Sequence, residues 1–344
     1  MRGFVLTLLL WMLLLAAAPQ AHAVPYFEFG VHDDGALVFN RGNQYGLYLH
    51  RSAEIGGQWQ RTILYHGRSW RLYDRGIRRA RRQHQQVQMV IACNGRVWEE
   101  QAFERYVQRV VRHFRGVVHR WSICNEPNQP GWLKPMENLS LAATYRLLYR
   151  VGYAAVKRLQ PHSQVFFGEF SSNYHPLDFM RQVFCTEGNL DDTCVSLQAD
   201  CVAYHPYQLE NPQAASKTPF TVGIGSISLL TDLMDELVAR RLLLVSQGGV
   251  APLCITEIAY QSRAIGHLAS RNLPDEVRKI RWREILSIAC ESVYIRQVIA
   301  YQMFPNAPYR QTRWDSSIVG RSGHPDKTFY AIKNWRKSYP ECMR

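Results

Sequence analysis

The segments Trp121-Ser122-Ile123-Cys124-Asn125-Glu126-Pro127-Asn128 and Leu253-Cys254-Ile255-Thr256-Glu257-Ile258-Ala259-Tyr260 each set one glutamate at the end of a short apolar run. An apolar run of four or five residues, bounded by polar or turn residues, has the pattern of a strand buried on both faces in a parallel sheet. Each glutamate should therefore emerge where its strand passes into a loop. Glu126 and Glu257 are separated by 257 − 126 = 131 residues, which leaves room for two further strands and long loops between them. Two carboxyl groups at strand ends of one sheet suit the cleavage of a glycosidic bond. One can protonate the leaving oxygen while the other attacks the sugar or activates water.

The elements that must position this pair follow from the remaining apolar runs. Strand-like runs lie at Tyr26–Val31, Trp59–Tyr65, Val87–Ala92, Val118–Cys124, Val165–Gly168, Cys201–Tyr204, Leu253–Thr256 and Val298–Gln302. Segments with helical periodicity separate them. Phe103, Tyr106, Val107, Val110, Val111 and Phe114 form one apolar stripe, and Tyr145, Leu148, Tyr149, Gly152, Tyr153 and Val156 form another that ends near Gln160-Pro161. Leu72–Gln83 and the closing Lys327–Lys337 complete the set. Alternating strands and helices imply parallel pairing through right-handed crossovers, and eight such units predict an α/β chain folded as a single (β/α)8 TIM barrel with its chemistry at the strand C-termini. An open doubly wound sheet is the competing architecture. The turn after the first run, His32-Asp33-Asp34-Gly35-Ala36, lacks the glycine fingerprint by which such sheets bind nucleotides.

Met1-Arg2-Gly3, the apolar stretch Phe4–Ala18 and Ala21-His22-Ala23 have the pattern of a cleaved secretory signal over residues 1–23, leaving 24–344 as the catalytic domain. The expected location is secreted or periplasmic, with no stable membrane span after cleavage. Such a compartment permits disulfides among the eight cysteines. Cys185 and Cys194, with Cys201 nearby, are the candidates for bonding, whereas Cys93, Cys124 and Cys254 lie in or beside apolar runs and are expected to be free, small buried hydrophobes. No Cys-x-x-Cys or His-x-x-x-His spacing suggests a metal site, and the chemistry needs no cofactor. The 41 basic against 28 acidic residues give a net charge of +13, of which the signal carries one through Arg2. This excess favours polyanionic partners, although the seven arginines from Arg68 to Arg82 should lie on an outer helix, and no nucleic-acid motif accompanies them.

The chain is similar to clan A glycoside hydrolases, and to family 39 and its relatives in particular. The likeness rests on Asn125-Glu126-Pro127 at the fourth run, Ile255-Thr256-Glu257 at the seventh and His205-Pro206-Tyr207 after the sixth. It implies Glu126 as general acid/base, Asn125 as partner of the sugar hydroxyl beside the anomeric carbon, and Glu257 as the nucleophile of a retaining double displacement. It further implies that His205 and Tyr207 line the site, and that Arg61, within Gln60-Arg61-Thr62-Ile63, keeps the nucleophile ionised. Asn94, and His32 with Asp34, occupy equivalent strand ends. Aromatic residues make up 12% of the chain, and sugar rings stack on them. Trp98, Trp132, Phe304, Tyr309 and Trp314 follow strand ends and are expected to form the rim of the cleft. The chain departs from those relatives that end the last strand in tryptophan, reading Tyr301-Gln302-Met303-Phe304 instead. The expected substrate is a polysaccharide or oligosaccharide, acidic or attached to a cell surface, cleaved internally at a β-linkage. A catalytically inactive carbohydrate-binding barrel and a polyanion-binding surface protein are the alternatives.

Overall fold

In a computed structural model, the described residues are 26–39, 45–94, 96–186, 194–216, 218, 220–246, 249–305, 314–320 and 322–343. The signal segment and Tyr309 lie outside them. Ten strands run β1 (Glu28–His32), β2 (Trp59–Leu64), β3 (Gln86–Ile91), β4 (Arg120–Ile123), β5 (Gln164–Ser171), β6 (Leu197–Ala199), β7 (Cys201–His205), β8 (Leu243–Val245), β9 (Leu253–Ile258) and β10 (Ile295–Tyr301). Eight of them close a parallel barrel in the order β1-β10-β9-β7-β5-β4-β3-β2, with β1 also paired to β2. All eight runs expected from the sequence are barrel strands. The short strands β6 and β8 were not foreseen, and they pair with each other outside the barrel.

The helices are α1 (Asp34–Leu37), α2 (Tyr45–Glu54), α3 (Trp70–Arg82), α4 (Glu100–His113), α5 (Leu141–Leu159), α6 (Pro176–Val183), α7 (Ile227–Ala239), α8 (Asp275–Glu291) and α9 (Lys327–Ser338). They pack on the barrel through the stripes their sequences predict. In α4 the buried residues are Phe103, Tyr106, Val107, Val110 and Val111. Arginine-rich α3 buries Tyr73, Gly76, Ile77 and Ala80 and turns its arginines to solvent on the outer wall. Helix starts are fixed by side chains that accept the otherwise unpaired first-turn N–H groups: Ser140 Oγ from Ala143 (3.1 Å) and Asp326 Oδ1 from Phe329 (3.0 Å). At the barrel base, Arg120 pairs with Glu28 and lies over the Trp59 ring, 3.6 Å from its centroid. Gly30 permits a close approach there, because a Cβ would stand 2.6 Å from the Trp59 carbonyl oxygen and 2.4 Å from Ile299 Cδ1.

Four disulfides join Cys93–Cys124, Cys185–Cys194, Cys201–Cys254 and Cys290–Cys342. The second is the expected pair. Contrary to expectation, Cys93, Cys124 and Cys254 are not free, because barrel closure makes neighbours of strands that sequence alone leaves unordered. Cys93 and Cys124 follow the adjacent strands β3 and β4, with Cα atoms 4.8 Å apart. Displacement of β8 from the barrel brings β7 beside β9, and with them Cys201 and Cys254.

Candidate active site

Glu126 lies three residues beyond β4, and Glu257 is the penultimate residue of β9. Both sit at the C-terminal mouth of the barrel and line a cavity of about 1040 Å³. A carboxylate oxygen of each, together with a ring nitrogen of His205, falls in a group whose atoms lie within 4.8 Å of one another.

The turn carrying the first glutamate is unusual in its backbone. Cys124 (φ 63°) and Glu126 (φ 42°) both occupy the left-handed region, which costs a non-glycine residue roughly 1–3 kcal/mol and persists only where surroundings enforce it. Here the Cys93–Cys124 bond fixes one side, while the Glu126 N–H donates to the Glu169 carbonyl (2.9 Å). The Glu126 carboxylate accepts from Gln129 Nε2 (2.8 Å) and faces His205 Nδ1 (3.1 Å).

Glu257 is held from several sides. Arg61 Nη1 donates to its Oε1, His32 Nδ1 lies 3.1 Å from the same oxygen, and the Tyr207 hydroxyl donates to Oε2 (2.8 Å). Burial opposes its ionised form, but the charges of His205 and Arg61 and the contact with His32 outweigh that cost and hold the carboxyl well below the usual carboxylate range. Arg61 is fully buried. Its Nη2 donates to Asn125 Oδ1 (2.7 Å), which leaves the Asn125 amide N–H groups for a hydroxyl in the cavity, and to Glu169 Oε2 (2.8 Å). His32 in turn pairs through Nε2 with Asp34 (3.4 Å).

Sequence reasoning missed Glu169. It lies within β5 at φ 56°, fully buried beneath the cavity floor, and accepts from Arg61, from Thr256 Oγ1 (2.6 Å) and from His205 Nε2 (2.8 Å). Burial would raise its pKa, but Arg61 and His205 bring it down to about 2. His205 therefore meets a carboxylate at each ring nitrogen, an arrangement that requires two N–H donors and hence an imidazolium. Burial alone would lower its pKa; the charge of Glu257 and the bonds to Glu126 and Glu169 raise it to about 9. In that form His205 offers no lone pair to a metal ion, so the triad Glu126, His205 and Glu257 is an ion-paired group first.

Of the residues expected at the site, Asn125, Glu126, Glu257, Tyr207, His32, Trp132 and Trp314 line the cavity. Trp314 packs edge-on to Tyr207, 5.3 Å between ring centroids. Tyr301, the last residue of β10, lines the cavity beside His32. Arg61 and His205 act from below the floor rather than lining it. Three expectations fail. Asn94 is half-buried in a turn away from the cavity lining, Phe304 is core, and Trp98 is buried against Phe103 and Tyr106, with its indole N–H donating to the Cys93 carbonyl. The path of each loop decides whether an aromatic residue faces the cleft or the core, and strand order does not fix that path.

No protein-family model matches the chain, and no curated protein matches it in sequence. Its fold, a (β/α)8 barrel, is shared with solved glycoside hydrolases. A family 39 glycoside hydrolase from Bacteroides cellulosilyticus superposes with a TM-score of 0.67 at 16% identity over 91% of this chain and 64% of the other. A family 39 β-xylosidase from Caulobacter crescentus gives 0.61 at 15% identity, covering 93% of this chain and 73% of that one. A glucosidase from Croceicoccus marinus gives 0.64 at 11%, covering 91% and 68%. The chain thus spans just under two thirds of the Bacteroides enzyme's length. In architecture it resembles the family 39 enzymes.

Proposed function

We propose that this protein is a retaining glycoside hydrolase that cleaves a β-linked polysaccharide or oligosaccharide internally through a covalent glycosyl-enzyme. The observation that carries this reading is the approach of Glu126 and Glu257 oxygens to within 4.8 Å across the barrel mouth. Retaining enzymes hold their carboxyl groups about 5–5.5 Å apart, whereas inverting enzymes leave about 6.5–9.5 Å for a water.

The two carboxyl groups are treated differently, as two roles require. Glu257, ionised by Arg61 and oriented by Tyr207, suits attack on the anomeric carbon. Glu126, partnered among the described side chains by His205 and Gln129, would give its proton to the leaving oxygen and then take one from the water that releases the sugar. Asn125 would hold the hydroxyl beside the anomeric carbon, and Trp132 and Trp314 would stack on sugar faces. The four disulfides support a secreted or periplasmic location for residues 24–344. Among the described residues, no helix is long and apolar enough to cross a membrane.

The test is mass spectrometry of the protein incubated with a panel of 2-deoxy-2-fluoro glycosides bearing good leaving groups. A single adduct on Glu257 is expected, and its identity reports the sugar. Hydrolysis of a glycan with inversion, or labelling at another carboxylate, would refute the assignment.

A further inference from the structure

A second cavity, of about 500 Å³, opens beside the first and shares no residue with it. Consecutive residues after β2 line the two, Tyr65 the catalytic cleft and His66 the other. Arg105, Arg109 and Arg112 project into it from one face of α4, at spacings of four and three, and Arg96 joins them from the loop after β3. Like charges at such spacings repel by a few tenths of a kcal/mol per pair unless something neutralises them.

Among the described residues the neighbouring carboxylates are paired elsewhere, and of them Glu104 alone also acts on Arg105 through its charge. Glu100 and Glu104 of α4 are engaged by Arg150 and Arg158 of α5, and Asp74 by His113. Among the described residues, no carboxylate lines the cavity. Its wall is built rather than incidental. Arg96 lies over the Trp98 ring, 4.4 Å from the centroid, and its Nη1 donates to His66 Nε2 (3.2 Å), so guanidinium and imidazole hold each other in place. Tyr106, 4% exposed, adds its ring to the lining.

We propose that this cavity is an anion-binding subsite that takes a sulfate, phosphate or carboxylate substituent of an acidic polysaccharide beside the catalytic cleft. The four arginines supply the charge, and Trp98 with Arg96 a flat wall. This inference adopts the polysaccharide reading above but is read out by binding alone.

The test is isothermal titration calorimetry of the full chain with inorganic sulfate, a sulfated oligosaccharide, an oligogalacturonate and a neutral xylo-oligosaccharide. Wild type is compared with Arg105→Gln/Arg109→Gln and with Arg75→Gln/Arg78→Gln on α3. The acidic oligosaccharides should bind saturably at one site, weaken about tenfold or more in the α4 variant, and bind unchanged in the α3 variant. Fluoroglycoside labelling of Glu257 should survive in the α4 variant. Equal weakening by the α3 pair would reduce the effect to diffuse surface charge and overturn the site. Sulfate binding without oligosaccharide binding would make it a site for a free inorganic anion and overturn the glycan assignment. Failure to label Glu257 would refute the catalytic reading while leaving the calorimetry interpretable.

Discussion

Glu169→Gln probes the buried network most directly. The native carboxylate accepts three hydrogen bonds, from Arg61 (2.8 Å), His205 (2.8 Å) and Thr256 (2.6 Å), two of them from cations. All three bonds converge on Oε2, so glutamine can keep the shape and the bonds by placing its amide oxygen there, but it removes the negative charge that both buried cations face. Each hydrogen bond to a charged group contributes about 1.5–3 kcal/mol, and stripping a buried cation of its partner costs about 3–5 kcal/mol. We predict a loss of about 3–5 kcal/mol, lowering the melting temperature by roughly 4–8 °C in calorimetry. Removing one of the carboxylates that raise His205 should also let its imidazolium lose the proton at lower pH. The basic limb of Glu257 labelling should therefore move acidward. Thr256→Val, which removes one neutral donor and strands no charge, should cost only about 1–2 kcal/mol and leave the pH profile in place. A Glu169→Gln protein melting within 2 °C of wild type, with an unmoved basic limb, would refute the claim that Glu169 organises the site.

Stability should also depend on pH through the same groups. The folded pKa of His205, about 9, lies above its unfolded 6.5, so its contribution of about 3 kcal/mol is complete below about 6.5 and disappears as pH rises through 9. The folded value of Glu169, about 2, lies below its unfolded 4.5, so its contribution is complete above 4.5 and fades as pH falls towards 2. Melting temperatures across pH 3 to 10 should therefore peak between about 4.5 and 6.5, and a steady rise from 7 to 10 would contradict this. Replacing both Cys93 and Cys124 by alanine removes a crosslink spanning 31 residues, with an expected loss of about 3.5 kcal/mol in denaturant unfolding. Because that bond adjoins Asn125, labelling of Glu257 should slow as well. Gly30→Ala would drive a methyl group onto the Trp59 carbonyl, with an expected cost of about 1–3 kcal/mol in thermal melts. Wild-type stability in that variant would show that the barrel base yields freely.

How much of this was legible in the chain depends on how local each signal is. Strands buried on both faces leave continuous apolar runs, so all eight barrel strands and the glutamates closing two of them could be found. Strands β6 and β8, three residues each, are too short to show a period. Glu169 was hidden because the fifth run was ended at Gly168, although an acidic residue between Phe167 and Phe170 cannot be buried without a cation, and Arg61 lay in a run of the same kind. Disulfide partners and the facing of Trp98 and Phe304 depend on which strands and loops become neighbours. Only closure of the barrel decides that.

The buried network also has a simple arithmetic of charge. Three carboxylates, Glu126, Glu169 and Glu257, face two cations near neutral pH, Arg61 and the His205 imidazolium, while His32, beside Glu257, pairs with Asp34. One proton on Glu126 makes the set neutral. In the proposed first step that proton leaves with the departing sugar, and Glu257 gives up its negative charge to an ester bond, so the total is again zero. The reaction would thus pass a charge from one side of the cleft to the other without the low-dielectric interior ever holding an excess, and neither Arg61 nor His205 need move to follow it.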